Sequence, residues 1–306
     1  MKHIIKRGCF LTLMFMLLGC LSLYAADNDL TTKQITIKLE KAGTLPDRIV
    51  SSKRYKITNL KIIGEINGTD LDMIREMAGR DYRGNSTDGK LSVLDLSEAK
   101  IVEGGDYYYE DDNNNYYTSN DVIGSYAFRG CSGLTSLTLP DGITEIGSSA
   151  FSGCSGLTTL TLPDGITEIG YRAFDGCSGL TSLTIPDGIT SIGEGAFKDC
   201  SGLTSIYVYA ENVPEINSYS FEGFDAKKCT LYVPMGTRDI YRLFGFGNYF
   251  ENIVEFDATG IDKTITSTEV EEVARYSVNG QRLSAPTKGL NIVKYSDGSV
   301  KKVAVR

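Results

Sequence analysis

Four cysteines stand 23 residues apart, at Cys131, Cys154, Cys177 and Cys200, and a fifth lies at Cys229. Thiols so placed could form disulfides, bind a metal or act as nucleophiles. Disulfide geometry requires Cβ atoms near 3.8 Å and a twisted dihedral. Equivalent positions of a structural repeat point the same way, about one strand spacing apart, so buried free thiols are expected. The one histidine of the sequence, His3, lies at the extreme N-terminus, and tryptophan is absent. Beyond residue 26 the chain therefore cannot assemble Ser-His-Asp or Cys-His catalysis, or an imidazole-ligated zinc site. A hydrolase would need paired carboxylates in a cleft. Asp70, Asp72, Asp106 and Asp112 are available, but their spacing specifies no pair. A calcium site on Asp106, Glu110, Asp111 and Asp112 lacks the spacing and the glycine of an EF-hand loop.

Hydroxyl and aromatic side chains make better binding candidates. Ser136, Thr159, Ser182 and Ser205 recur every 23 residues beside Thr138, Thr161, Thr184 and Tyr207. Alternating with leucines, they are expected to face solvent from one side of a sheet. Such columns suit contact with a protein strand or a glycan; Ser and Thr also simply suit an exposed parallel sheet. Tyr207 and Tyr209 stand out because the last regular copy has aromatics where earlier copies have Thr and Pro. Residues 106–121 hold a second group, Tyr107, Tyr108, Tyr109, Tyr116 and Tyr117, among Asn and Asp. Tyrosine offers a large contact area at low entropic cost, so this segment reads as a solvated inserted loop or a ligand-contacting one.

The element that must position these residues is a repeat. Phe128, Phe151, Phe174 and Phe197 share the 23-residue period, as do Leu134, Leu157, Leu180 and Leu203. The unit runs Ala-Phe-x-Gly-Cys-Ser-Gly-Leu-Thr-Ser-Leu-Thr-Leu-Pro-Asp-Gly-Ile-Thr-Glu-Ile-Gly, and a degraded fifth copy starts at Phe221. Leu134, Leu137 and Leu139 give the LxxLxL pattern of a short strand that lies beside its counterpart in the next unit. Pro140-Asp141-Gly142 ends the strand, since proline has no ladder donor and Asp-Gly favours a turn. One unit cannot bury its apolar residues alone, so neighbours must stack about 4.8 Å apart. The fold class expected is an α/β-type leucine-rich-repeat solenoid with 23-residue units and a parallel sheet.

The ends differ. Residues 27–122 read as an N-terminal cap and irregular repeats, with strands at 59–63 and 91–96, a capping strand at 34–39 and a helix over 70–77 begun by Thr69 or Asp70. Residues 123–256 hold the regular repeats and a C-terminal cap, including a helix over 236–244 that would bury Ile240, Leu243 and Phe244, and a strand at 252–256. Residues 257–271 read as a linker, and 272–306 as a small all-β unit with a hairpin signal at Asn279-Gly280.

Residues 1–26 have a basic start, an apolar run from Phe10 to Leu18 and a switch to polar sequence at Asp27, the layout of a secretory signal peptide. The apolar stretch of 14 residues from Phe10 to Leu23 is short of a bilayer span. Cleavage after Ala25 or Ala26 is one reading; lipidation of Cys20, behind Leu17-Leu18-Gly19, is the other. Losing Lys2, Lys6 and Arg7 with the leader reduces 31 basic residues to 28 against 39 acidic ones, a net charge of −11. Nucleic acid and bare membrane are thereby disfavoured as partners.

The run Cys-Ser-Gly-Leu-Thr-Ser-Leu-Thr-Leu-Pro, followed by Ile-Gly and Ala-Phe, resembles the BspA-like bacterial leucine-rich repeats. The resemblance implies a surface-exposed or secreted binding protein, often an adhesin for host matrix proteins or other cells. It brings no catalytic residues. Val-Asn-Gly-Gln, Lys-Gly-Leu-Asn-Ile-Val-Lys and the Val-Lys-Lys-Val-Ala-Val end are similar to type IX secretion sorting tails, although the unit is short. It reads equally as a small β-domain. The expectation is an exported, non-catalytic binder of a host or bacterial surface protein or glycan that needs no cofactor or metal. The alternative is a self-assembling envelope or pilus component.

Overall fold

The computed structural model describes residues 30–225, 227–258, 272–277, 282–283, 285–295 and 300–305. The leader with Cys20, residues 259–271 and the Asn279-Gly280 turn lie outside the described residues. The chain begins with β1 (Ile35–Lys38), short helices α1 (Leu45–Arg48) and α2 (Ser51–Arg54), β2 (Asn59–Ile66), α3 (Gly68–Met77) and β3 (Val93–Ile101). A hairpin of β4 (Gly104–Glu110) and β5 (Asn115–Thr118) precedes the regular coils. Each coil then contributes two strands. The first series is β6 (Val122–Ile123), β8 (Glu145–Ile146), β10 (Glu168–Ile169), β12 (Ser191–Ile192) and β14 (Glu215–Ile216). The other is β7 (Ser136–Thr138), β9 (Thr159–Thr161), β11 (Ser182–Ile185), β13 (Ser205–Val208) and β15 (Thr230–Pro234).

Both series form parallel sheets. The principal sheet runs β1-β2-β3-β7-β9, with β11 beside β9, and continues through β13 and β15 to β16 (Asn252–Phe256). The capping segments thus join the same sheet as the regular coils. Its strands are in register at the 23-residue offset, Leu137 opposite Leu160 and Leu183 opposite Ile206. The second sheet aligns Ile123, Ile146, Ile169, Ile192 and Ile216.

Between the sheets the side chains stack in kind. Phe128, Phe151, Phe174, Phe197 and Phe221 form a column of near-parallel rings with centroids 5.1–5.4 Å apart. The backbone beside the column is also bonded from coil to coil. The Phe151 N–H donates to Ala173 O and the Phe174 N–H to Ala196 O, each at 2.7 Å. Such close approach excludes side chains at certain positions: a Cβ on Gly179 would meet Ser155 O at 2.5 Å. Gly130, Gly153 and Gly176 instead sit at φ near +74, where the fourth coil holds Asp199 at +55.

The five cysteines among the described residues are free and buried, as expected. Their thiols donate backwards: Cys154 to Phe128 O at 3.0 Å, and Cys177 to Phe151 O and Cys200 to Phe174 O at 3.1 Å. Each adds a donor to a carbonyl one coil back. Burial pushes Cys154 and Cys177 well up, and Cys200 and Cys229 to about 12.

Three expectations for the ends need correction. Helix α3 starts at Gly68, not Asp70, because Asn67 is its N-cap: the Asn67 side chain accepts from Thr69 N while Asp70 accepts from Asn67 N. Asp70 is fully buried and also receives Gly43 N and Leu45 N, locking the cap to the helix. The C-terminal helix, α4 (Arg238–Leu243), turns the opposite face inward. Tyr241 is buried, with its hydroxyl donating to Ala210 O at 2.5 Å, whereas Ile240, Leu243 and Phe244 are exposed. Residues 106–121 form most of a β-hairpin instead of an open loop. At the C-terminus, β17 (Glu272–Ser277), β18 (Arg282–Leu283), β19 (Gly289–Tyr295) and β20 (Val300–Val305) form an antiparallel sheet.

The stacked column makes a quantitative prediction. Phe174→Ala is expected to cost about 3–5 kcal/mol, read by chemical denaturation. The thiols of Cys131, Cys154, Cys177, Cys200 and Cys229 are expected to react with a disulfide reagent only as fast as the solenoid opens. Rapid reaction under native conditions would contradict the buried column.

Candidate ligand-binding face

The outward residues of the principal sheet form two rows across the strands. Asn59, Val93, Ser136 and Thr159 align in one; Ser182, Ser205, Thr230 and Asn252 continue it. Lys61, Asp95, Thr138 and Thr161 align in the other, followed by Thr184, Tyr207, Tyr232 and Val254. These rows are exposed or half-buried, while the alternating Leu137, Leu160, Leu183 and Ile206 are core. The expected hydroxyl columns are therefore in place, at the spacing of the strands.

The face changes character along its length. At the N-terminal end, Lys61 pairs with Asp95 at 3.1 Å and Glu98 at 2.8 Å. In the middle, Thr159 reaches the Ser136 hydroxyl at 3.5 Å and Ser205 the Ser182 hydroxyl at 3.1 Å, so these side chains are held in a row. The adjacent threonines serve the fold: Thr158 and Thr204 donate their hydroxyls to Thr135 O and Thr181 O at 3.0 Å. At the C-terminal end, Tyr207 stacks on Tyr232 with centroids 4.4 Å apart and planes within 7°. Phe256 stands edge-on to both Tyr207 and Tyr209. Tyr209 is only 9% exposed, so it belongs to the packed end of the face and not to its open surface. Sequence reasoning missed Tyr232 and Phe256. The signal for Tyr232 is in the degraded fifth copy, where Thr-Leu-Tyr aligns with Ser205-Ile-Tyr207.

The second tyrosine group is placed differently. Tyr108 and Tyr109 are buried, which removes them as ligand contacts. Tyr108 donates to Ser125 O at 2.9 Å. Tyr109 stacks on Tyr126 at 4.9 Å, and Tyr116 packs edge-on to the same ring at 4.8 Å. Tyr107 and Tyr117 remain on the outer side, ring edges together near Tyr82. The hairpin thus plugs the flank of the first regular coil. Its anchor, which sequence reasoning did not identify, is Arg75. This guanidinium is fully buried beneath the Tyr109 ring and donates to Tyr126 O, Ala127 O and Asp81 O at 2.7–3.1 Å.

The carboxylates considered for catalysis or calcium do not converge. Asp70 anchors the cap, and Asp106 accepts from the Thr69 hydroxyl. Asp111 accepts from Asn113 N, Asn114 N and the Tyr116 hydroxyl, which holds it below the usual carboxylate range. Asp72 stands apart: burial, with help from Glu76, raises it to about 6, and its Oδ1 has no hydrogen-bond partner. Among the described residues no three His, Cys, Asp or Glu side chains gather as a metal-ligand set.

Comparison with known proteins agrees with this architecture. Residues 121–241 match the family described as BspA type leucine rich repeat region, in six copies. Among solved structures, a leucine-rich repeat protein from Bacteroides capillosus is 29% identical, with a TM-score of 0.27 over 32% of this chain and 70% of that one. One from Bacteroides ovatus is 28% identical, with a TM-score of 0.29 over 38% of this chain and 37% of that one. The leucine rich repeat protein of T. pallidum is 26% identical, with a TM-score of 0.29 over 40% of this chain and 65% of that one. The chain therefore spans under two thirds of the length of the last two. No curated protein sequence matches it. The fold is a leucine-rich-repeat solenoid with a small all-β unit at its C-terminal end.

Two substitutions test the hairpin anchor and the buried carboxylate. Arg75→Leu leaves Ala127 O without its donor and takes one of two donors from Tyr126 O and Asp81 O, and is expected to destabilise by about 3 kcal/mol. For Asp72 the sign follows from a folded pKa near 6 against 3.8 unfolded. The folded state binds the extra proton between those values, so stability is lost as pH rises through about 6. Asp72→Asn is expected to stabilise at pH 7 by about 1 kcal/mol, after allowance for solvent screening, and to have little effect at pH 3. Denaturation curves at the two pH values check this.

Proposed function

We propose that this protein is a non-catalytic binding protein, exported to the bacterial cell surface or secreted, with a protein or glycan ligand on the exposed face of its principal sheet. The observation that carries this reading is the face itself. Its hydroxyls lie in register at strand spacing and end in the stacked Tyr207 and Tyr232 rings. A row of fixed donors and acceptors beside an aromatic platform can follow an extended peptide or the repeating hydroxyls of a saccharide. The partner is a host or bacterial surface protein or glycan. Export is supported by the signal-peptide layout of residues 1–26, with Cys20 as a possible lipid anchor, and by the likeness of residues 272–306 to a sorting tail. Among the described residues no helix is long and apolar enough to cross a membrane.

One observation favours self-association. Met235, Ile240, Leu243 and Phe244 are exposed near β16, which carries exposed Val254 and ends the principal sheet. An open strand edge beside apolar side chains can add another strand.

The test is binding of the full mature chain to a panel of matrix proteins and glycans. Thr159→Glu with Thr161→Glu is expected to weaken binding more than about tenfold, since each charge meets an optimised contact. Arg172→Glu, outside this face, is expected to leave it unchanged. A chain that binds nothing on the panel but forms concentration-dependent oligomers, lost on Phe244→Ser, would favour the envelope-component reading instead.

A further inference from the structure

In the 23-residue register, Tyr209 occupies the position that Pro140, Pro163 and Pro186 hold in the earlier coils. This departure coincides with a contact to the C-terminal sheet. The Lys302 Nζ, on β20, lies 3.8 Å from the centroid of the Tyr209 ring. Lys302, with Leu290 and Ile292 of β19, forms one wall of a cleft of about 390 Å³. The opposite wall is the rim of the solenoid, including Thr161, Thr184, Asp164 and Asp187. The two aspartates belong to successive Pro-Asp-Gly turns, so the repeat itself aligns them. Burial lowers the pKa of Lys302, and the charges of Asp164 and Asp187 pull the other way.

A desolvated ammonium on an aromatic face with carboxylates on the rim is a favourable arrangement for a cation. A half-buried lysine would otherwise be drawn to water. We propose that Tyr209, Asp164 and Asp187 form a recognition site for an alkylammonium group, and that Lys302 of the chain's own C-terminal sheet is its resident occupant. A lysine-bearing strand of a partner protein competes with Lys302 for this site, next to the hydroxyl rows. The site's biological meaning rests on the ligand-binding reading above; its existence is tested without it.

The experiment uses the full chain and n-butylammonium, a mimic of the lysine side chain, with n-butanol as the neutral control. Lys302→Ala vacates the site. Binding of n-butylammonium to this variant, followed by NMR shifts, is expected to be about tenfold tighter than to the wild-type chain. It is also expected to be well above that of n-butanol. Adding Asp164→Asn and Asp187→Asn, both in exposed turns that leave the core intact, is expected to return the affinity towards the wild-type level. Equal binding to wild type and Lys302→Ala, or equal binding of butanol and butylammonium, would overturn the proposal. Neither result decides the panel experiment, which reads binding of matrix proteins and glycans with Lys302, Asp164 and Asp187 unchanged.

Discussion

The stacking of each coil on the next is the constraint from which the rest of the molecule follows. A 23-residue coil has too few neighbours within itself to satisfy its backbone or cover its apolar side chains, so both needs are met by the adjacent coil. The two parallel sheets and the Phe151-to-Ala173 type of bond meet the backbone need on opposite sides. The phenylalanine column fills the space between, and each cysteine thiol adds a second donor to a carbonyl of the coil before, which already accepts the N–H of its own coil's cysteine. Because every coil solves the same problem, the same residue recurs at the same place. Gly156, Gly179 and Gly202 recur because a side chain there would enter the coil before.

With the interior so determined, variation is confined to residues that the stacking does not use. On the principal sheet these are the outward rows, which pass from charged pairs at Lys61 and Asp95 through hydroxyls to the tyrosine pair. The scaffold therefore presents a rigid surface whose chemistry is set independently of its stability. Binding on such a surface loses little conformational entropy in the protein. The threonines that donate to the preceding coil show how near structural and functional columns can lie: Thr158 is spent on Thr135 O, while Thr159 faces outward with the serine row.

What the sequence makes legible is what repeats. The solenoid, its parallel register, the buried free thiols and the outward hydroxyl columns can all be read from a 23-residue period, because a local pattern is enough to specify them. Parts that depend on a single long-range contact are not legible. Tyr108 and Tyr109 look like surface tyrosines in a polar stretch, yet they pack inward because Arg75, more than thirty residues away, holds the backbone of residues 126 and 127 beneath them. The C-terminal helix has an amphipathic pattern that favours burying Ile240 and Phe244. One hydroxyl bond from Tyr241 to Ala210 accompanies the opposite face turning inward. Tyr209 reads as a ligand contact until Phe256 and Lys302, from separate elements, cover it.

The central claim is that the ligand lies along the outward rows of the principal sheet. Hydrogen exchange of the full chain, with and without a saturating ligand, tests it most directly, since each strand reports separately. The account predicts added protection in Ser136–Thr138, Thr159–Thr161, Ser182–Ile185 and Ser205–Val208. Protection confined to the second sheet, at Glu145–Ile146, Glu168–Ile169 and Ser191–Ile192, would contradict it.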